Sequence, residues 1–328
     1  MKLKKLAYKA YKEAKIMKNR IINVVSNPTL VLIYHRVNNL QSDPQLLAVS
    51  PDNFYQQMKF IKANYEVLRF EEEWRECKGK SVVITFDDGY EDNYTQALPI
   101  LSDLKVPATF FISSGILHKK NYNFWWDELE SLILNTTCTN NMYTFKEFGF
   151  DLQYPTNDFI QIKKFYNEIH RIILNSNSIK IQEALMDSIR IWANKDSIKD
   201  LDNSAMNIEQ LRQMSKSRYV TIGAHTVNHL SLGSLSLNEQ REEITNSIKD
   251  LNRFTGLDIS TFSYPFGTRS DYTNETIDII KSCNIKKCAA NFSGTCRGNT
   301  DIYQIPRNLV RNWDLSEFKR NLQRYWNL

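Results

Sequence analysis

The chain has 328 residues, of which 42% are hydrophobic and 24% charged, with few glycines and prolines; this is the composition of a globular protein able to bury a large core. No apolar run is long enough to cross a bilayer. The net charge of +5 is concentrated in residues 1–27, which hold eight Lys/Arg against Glu13, a local +7. The remainder is then close to neutral at −2, which argues against a nucleic-acid-binding body.

Residues 1–27 predict a basic amphipathic helix, because Leu3, Leu6, Ala10, Ala14, Met17 and Ile21 recur at three- and four-residue steps with lysines between them. Two readings stand: peripheral contact with an anionic membrane surface, or a solvated helix packed on the body. Lysines break up what would be the apolar stretch of a secretory signal, so a cytoplasmic location is expected, with the inner membrane face as the surface in the first reading. The five cysteines (Cys77, Cys138, Cys283, Cys288, Cys296) show no Cys-x-x-Cys spacing and are expected to be reduced thiols, none of them a ligand.

The next apolar run, Leu30 to Tyr34, predicts a strand ending in Tyr34-His35-Arg36; taken alone, a histidine there is a hydrogen-bonded structural residue. Ser50-Pro51-Asp52 signals a helix start, with Phe54, Met58 and Ile61 as its buried face. Val82 to Phe86 reads as a buried strand, followed by a helix around 94–104 and a further strand from Val106 to Ile112, so a βαβ unit and a parallel sheet are expected. From about 117 to 217 the chain turns rich in Asn, Ile and Lys. Helical spacing at 124–134, 159–174 and 179–192 predicts a helical insertion within a body spanning 28–328. Trp125 and Trp126 lie there as candidates for stacking on a ligand ring or, more commonly, for core; His118 and His170 read as structural. Later come a strand at 220–224, a helix at 238–254, a strand and turn at 261–267, a helix at 276–283, a short strand at 287–290 and a closing helix at 315–325.

Two strand ends stand out chemically. Val82-Val83-Ile84-Thr85-Phe86 runs into Asp87-Asp88-Gly89, and Val220-Thr221-Ile222-Gly223-Ala224 runs into His225-Thr226-Val227-Asn228-His229. Chemistry collects after the strands of a parallel α/β protein. Adjacent carboxylates repel unless their roles are separated, and a cation bound to one of them separates the roles. The bland alternative for Asp-Asp-Gly is a helix cap. Two imidazoles four residues apart, in a chain with five histidines, tip the balance toward an Asp-His-His metal site with open positions.

With Thr85-Phe86-Asp87-Asp88-Gly89, His225-Thr226-Val227-Asn228-His229 and Ser263-Tyr264-Pro265-Phe266-Gly267 in this order, the chain resembles the polysaccharide deacetylase family, also called the NodB-homology domain or carbohydrate esterase family 4. The Tyr34-His35 segment ahead of the Asp-Asp motif resembles the circularly permuted members. The resemblance implies an α/β fold, a distorted (β/α) barrel with the insertion and the N-terminal helix added. It implies a metal-dependent hydrolase that removes N-acetyl groups from an amino-sugar glycan. Asp88, His225 and His229 would hold a divalent ion, with zinc suiting the ligand set. Asp87 would be the general base, His35 the acid, and the Phe266 N–H a donor to the oxyanion. In one respect the chain departs from the family: Ser263 stands where the third motif has an arginine. Arg307 is the candidate to steady Asp87 in its place, the alternative being a surface Arg in a salt bridge. Rival functions are deformylation or deacetylation of a lipid- or nucleotide-linked sugar, and carbohydrate binding without catalysis.

Overall fold

The computed structural model describes residues 27–74, 79–118, 123–135, 140–195 and 204–328. The helix expected over 1–27 lies outside them but for Asn27, as do Cys77 and Cys138. The chain divides into two compact units: Lys119–Ala205 is one, and the segments on either side of it form the other.

In the larger unit the chain order begins β1 (Thr29–Tyr34), β2 (Arg36–Val37), β3 (Ala48–Val49), α1 (Pro51–Asn64), β4 (Glu66–Leu68), β5 (Ser81–Phe86), α2 (Leu98–Leu104) and β6 (Ala108–Ile112). The smaller unit contains α3 (Trp125–Ile133), the hairpin strands β7 (Met142–Phe145) and β8 (Leu152–Pro155), α4 (Phe159–Ser176) and α5 (Ile179–Trp192). The larger unit resumes with α6 (Ile208–Ser215), β9 (Val220–Ala224), α7 (Leu237–Thr255), β10 (Thr261–Ser263), α8 (Asn274–Ser282), β11 (Lys287–Ala289), β12 (Asn308–Leu309) and α9 (Leu315–Trp326).

The main sheet runs β11-β10-β9-β6-β5-β1-β12, with β4 also paired to the start of β5, and every pairing is parallel. Parallel strands are covered on both faces, so their residues are apolar without alternation. β1, β5 and β6 follow that rule and are buried along their whole length. A stretch at 302–310 bridges the two ends of the sheet. Its backbone bonds to β11 through Cys288, Ala290 and Ile305, and then to β1 through the register Leu32↔Asn308. The curled sheet with its surrounding helices is the distorted (β/α) barrel expected from the sequence.

Helix α1 starts where its signal predicts. Ser50 caps it by accepting from the Asn53 N–H, Pro51 occupies the first turn, and Phe54, Met58 and Ile61 are buried. Against this helix the rings of Tyr34, Phe54, Phe86 and Phe110 form one aromatic cluster, with Phe86 stacked on Phe110 at 4.6 Å. The segment after β5 departs from the expected regular helix: it opens as a π-helical turn, Asn93–Ala97, directly beyond the Asp-Asp motif.

The expected insertion at 117–217 is wider than the compact unit Lys119–Ala205. Residues after Ala205 return to the barrel, where the Met206 N–H donates to Gly89 C=O at 2.9 Å and α6 packs on α7 and β9. Trp125 and Trp126 are buried within the smaller unit, Trp126 stacked on Phe124 at 4.6 Å, so they serve as core there. Among the described residues no helix is long and apolar enough to cross a membrane.

Phe86 is fully buried and touches three other rings. Phe86→Ala is expected to cost about 3–5 kcal/mol in urea unfolding, because the cavity adds to the lost transfer energy; a loss under about 1 kcal/mol would show that the cluster collapses freely around the gap.

Candidate active site

Because every strand of the sheet points the same way, the residues following β1, β5, β9 and β10 gather at one end of the barrel. Those residues are His35, Asp87-Asp88, His225 and Tyr264-Pro265-Phe266. Asp87 continues β5, its N–H donating to Tyr34 C=O at 3.1 Å. The chain then turns sharply: Asp88 has φ 76° and Gly89 φ 97°. A Cβ at Gly89 would lie 3.1 Å from Ile112 Cγ2, so glycine suits both the backbone and the space.

Both carboxylates are buried, each residue 3% exposed, and each has its own partners. Arg307 grips Asp87 with two hydrogen bonds of 2.6 Å, one to each oxygen. Its Nη2 also donates to Ser263 Oγ at 2.8 Å, and Ser263 Oγ donates to Asp87 Oδ2 at 3.1 Å. The guanidinium is anchored from behind by Nε donating to Ala290 C=O at 2.9 Å. Arg307 occupies the bridging stretch just before β12, which brings its side chain under the end of β5. Burial pushes the Asp87 carboxyl up, but Arg307, His225 and His35 outweigh it and hold it below the usual carboxylate range.

Asp88 faces the histidines. Its Oδ1 lies 3.2 Å from His229 Nε2 and 3.6 Å from His225 Nε2. His225 Nδ1 is 2.7 Å from Ser263 C=O, an acceptor, so that nitrogen holds the proton and Nε2 presents its lone pair to the carboxylates. One donor atom from each of Asp88, His225 and His229 falls within 4.8 Å of the others. Ligands about 2.0–2.2 Å from a first-row cation sit about 3.0–3.6 Å from one another. Both Asp88–imidazole separations fall in that range, and the N,N,O donor set suits a divalent ion. Burial pushes Asp88 up, yet the neighbouring imidazoles of His225 and His229 carry it well below the carboxylate norm. Burial lowers His225, and Asp87 with Asp88 more than reverses this, leaving it raised.

The loop between the two imidazoles is strained, with Thr226 at φ 62° and His229 at φ 56°. Left-handed backbone at such residues costs roughly 1–3 kcal/mol each and persists only where surrounding contacts impose it. Phe266 is a further case at φ 58°; its ring stands edge-on to His229 at 4.8 Å, and no bond joins its N–H to another described residue. Gly267 next to it could not hold a Cβ, which would lie 2.8 Å from Asn291 N.

His35 follows β1 and is tied to the segment after β5. Its C=O accepts from Asn93 Nδ2 at 2.8 Å, while Asp92 accepts from the Val37 N–H at 3.1 Å and from Arg36 Nε at 2.9 Å. His35 Nδ1 is buried with no hydrogen-bond partner among the described residues. Burial lowers the imidazole; Asp88 and Asp87 oppose this without overcoming it. His118 and His170 lie against aromatic rings, Phe254 and Trp125, each at 5.1 Å, and take no part in the Asp-His-His group. In the sequence Ser263 stands out only as a missing arginine; its hydroxyl and carbonyl touch Asp87, Arg307 and His225. Asp92 and Asn93, which hold the His35 segment, carry no motif of their own in the sequence and lie only four to six residues beyond the Asp87-Asp88 pair.

A family model described as polysaccharide deacetylase matches residues 75–287. The chain belongs to the polysaccharide deacetylase family. Among curated members, the Staphylococcus aureus (strain MSSA476) poly-β-1,6-N-acetyl-D-glucosamine N-deacetylase is 33% identical over 116 residues, 30% of this chain and 40% of that protein. Bacillus subtilis YxkH is 36% identical over 97 residues, 27% of this chain and 33% of that protein. The match thus spans only a third to two-fifths of these relatives' length. Among solved structures, the Streptococcus pyogenes deacetylase PplD in complex with acetate superposes with a TM-score of 0.55 at 18% identity, covering 88% of this chain and 94% of that one. IcaB from Ammonifex degensii gives 0.53 at 17%, covering 92% and 98%. At these identities the structures show a shared family fold.

Arg307→Met would leave the Asp87 charge buried without its cation, and is expected to cost about 3–5 kcal/mol at pH 7. The sign follows from the lowered Asp87 value: the pair's contribution is complete above the unfolded pKa of about 3.9 and fades as pH falls through the folded value. In the variant the carboxyl rises and takes up a proton earlier, so the deficit should shrink between pH 7 and pH 4.5 in denaturant titrations. A deficit independent of pH would contradict the pairing.

Proposed function

We propose that the protein is a divalent-cation-dependent hydrolase that removes N-acetyl groups from an amino-sugar-containing glycan, with zinc as the ion. The observation that carries this reading is the division of the two adjacent carboxylates, Asp88 toward two imidazole Nε2 atoms and Asp87 onto Arg307. A cation held by Asp88, His225 and His229 would polarise the amide carbonyl and make a water molecule acidic enough to attack near neutral pH.

The chain's own groups supply the rest. Asp87, ionised and fixed by Arg307 and Ser263, takes the proton from the attacking water. The Phe266 N–H donates to the oxygen that becomes negative as the carbonyl carbon turns tetrahedral. His35 protonates the amine nitrogen as the C–N bond breaks, releasing acetate and a free amino sugar. The two carboxylates favour the imidazolium that this last step requires, and burial opposes it.

A second reading, hydrolysis of a lipid-linked sugar precursor, draws on the +7 charge of residues 1–27, which suits the surface of an anionic cytoplasmic leaflet. Acetate release from β-linked N-acetylglucosamine oligomers, compared with release from lipid-linked N-acetyl sugars in anionic vesicles, separates the two. Glycan binding without turnover under any divalent ion would favour a non-catalytic role instead.

Asp88→Ala is expected to lose the metal, whereas Asp87→Asn keeps it and loses turnover by about 100-fold or more. Metal analysis and acetate assays on the same preparations test this; equal metal loss in both variants would undo the assignment.

A further inference from the structure

The loop Thr226–His229 spaces the two imidazoles, and two of its residues hold left-handed backbone. Something outside the loop must impose that shape. On its carbonyl side the constraint comes from the turn after β6: the Ser114 N–H donates to Thr226 C=O at 3.0 Å, the Gly115 N–H to Val227 C=O at 2.9 Å, and Ser113 Oγ to His225 C=O at 3.0 Å. Within the loop, the His229 N–H donates to Thr226 Oγ1 at 3.1 Å.

The remaining donors point the other way and meet one carboxylate. Glu243, on the inner face of α7 and 8% exposed, accepts from the Val227 and Asn228 N–H groups through Oε2, both at 2.9 Å, and from Asn228 Nδ2 through Oε1 at 2.6 Å. Three donors from two consecutive residues thus converge on a single buried acidic group. Hydrogen bonds to a charged acceptor are shorter and stronger than neutral ones. This acceptor is placed where it holds the loop between its two histidine ends.

We propose that Glu243 is a positioning residue of the cation site: it makes no contact with the ion or the substrate, and sets cation affinity by fixing the separation and direction of the His225 and His229 imidazoles. The inference rests on the Asp88-His225-His229 reading above. Ordinary helix–loop glue would stabilise the fold and leave the affinity untouched; a positioning role couples the two. Partners that orient metal ligands typically change affinity about 10- to 100-fold when removed.

The test is Zn2+ affinity at pH 7, measured on the full chain by competition with a chromophoric chelator, alongside the melting temperature of the metal-free protein. Glu243→Ala is expected to weaken Zn2+ binding by at least about 10-fold. Glu243→Gln, whose amide oxygen still accepts both backbone N–H groups, should recover most of it. If Glu243→Ala does not fold, Glu243→Asp, one methylene short, should still bind about 3- to 10-fold more weakly than the parent. Affinity equal to the parent's in the alanine or aspartate variant, even with a lowered melting temperature, overturns the proposal and leaves the cation site standing. A parent protein that binds no more Zn2+ than Asp88→Ala overturns the cation site itself, and this inference with it.

Discussion

Two ionised carboxylates on consecutive residues, both buried at the end of one strand, cannot persist without separate compensation. The barrel provides it from opposite directions. Arg307, delivered by the stretch that bridges the two ends of the sheet, forms a two-pronged pair with Asp87. His225 and His229, delivered from β9 and its turn, face Asp88. One carboxylate thereby stays a fixed anion able to take a proton, and the other becomes part of an N,N,O donor set.

Ser263 joins the two halves. Its hydroxyl lies between Arg307 and Asp87, and its carbonyl sets the tautomer of His225. The family's third motif puts an arginine at this position. Here the arginine, Arg307, comes from the later bridging stretch, and the small residue at 263 leaves room for it. A positive charge beside Asp87 is thus retained while the covalent route to it changes. Strained backbone at Asp88, Thr226, His229 and Phe266 clusters around the same point, as expected where geometry is imposed by the surroundings and used in chemistry.

Much of this was legible in the sequence. Uninterrupted β-branched runs mark buried parallel strands, and the polar residues after them mark the end of the barrel where a site forms, so the Asp-Asp and His-x-x-x-His pairs stood out. Arg307 was legible only as an answer to a missing arginine. Its pairing depends on the bridging stretch at 302–310, whose one regular strand is two residues long and leaves no periodic signal. The hairpin β7–β8 was not read, because its short alternation of exposed and buried residues sits in an Asn-rich stretch. Helix α6 was absorbed into the insertion, although Asn207 and Gln210 form a capping box that marks its start. Glu243 had the appearance of one more charge on an amphipathic helix; only the folded loop beside it reveals three converging donors.

The proposed chemistry depends on the side chains of Asp88, His225 and His229 surrounding one cation. X-ray absorption spectroscopy of the zinc-loaded protein addresses it directly. The expected spectrum has a first shell of nitrogen and oxygen at about 2.0–2.2 Å with outer-shell scattering from two imidazoles. Sulfur scattering near 2.3 Å, or a shell without imidazole, would contradict it.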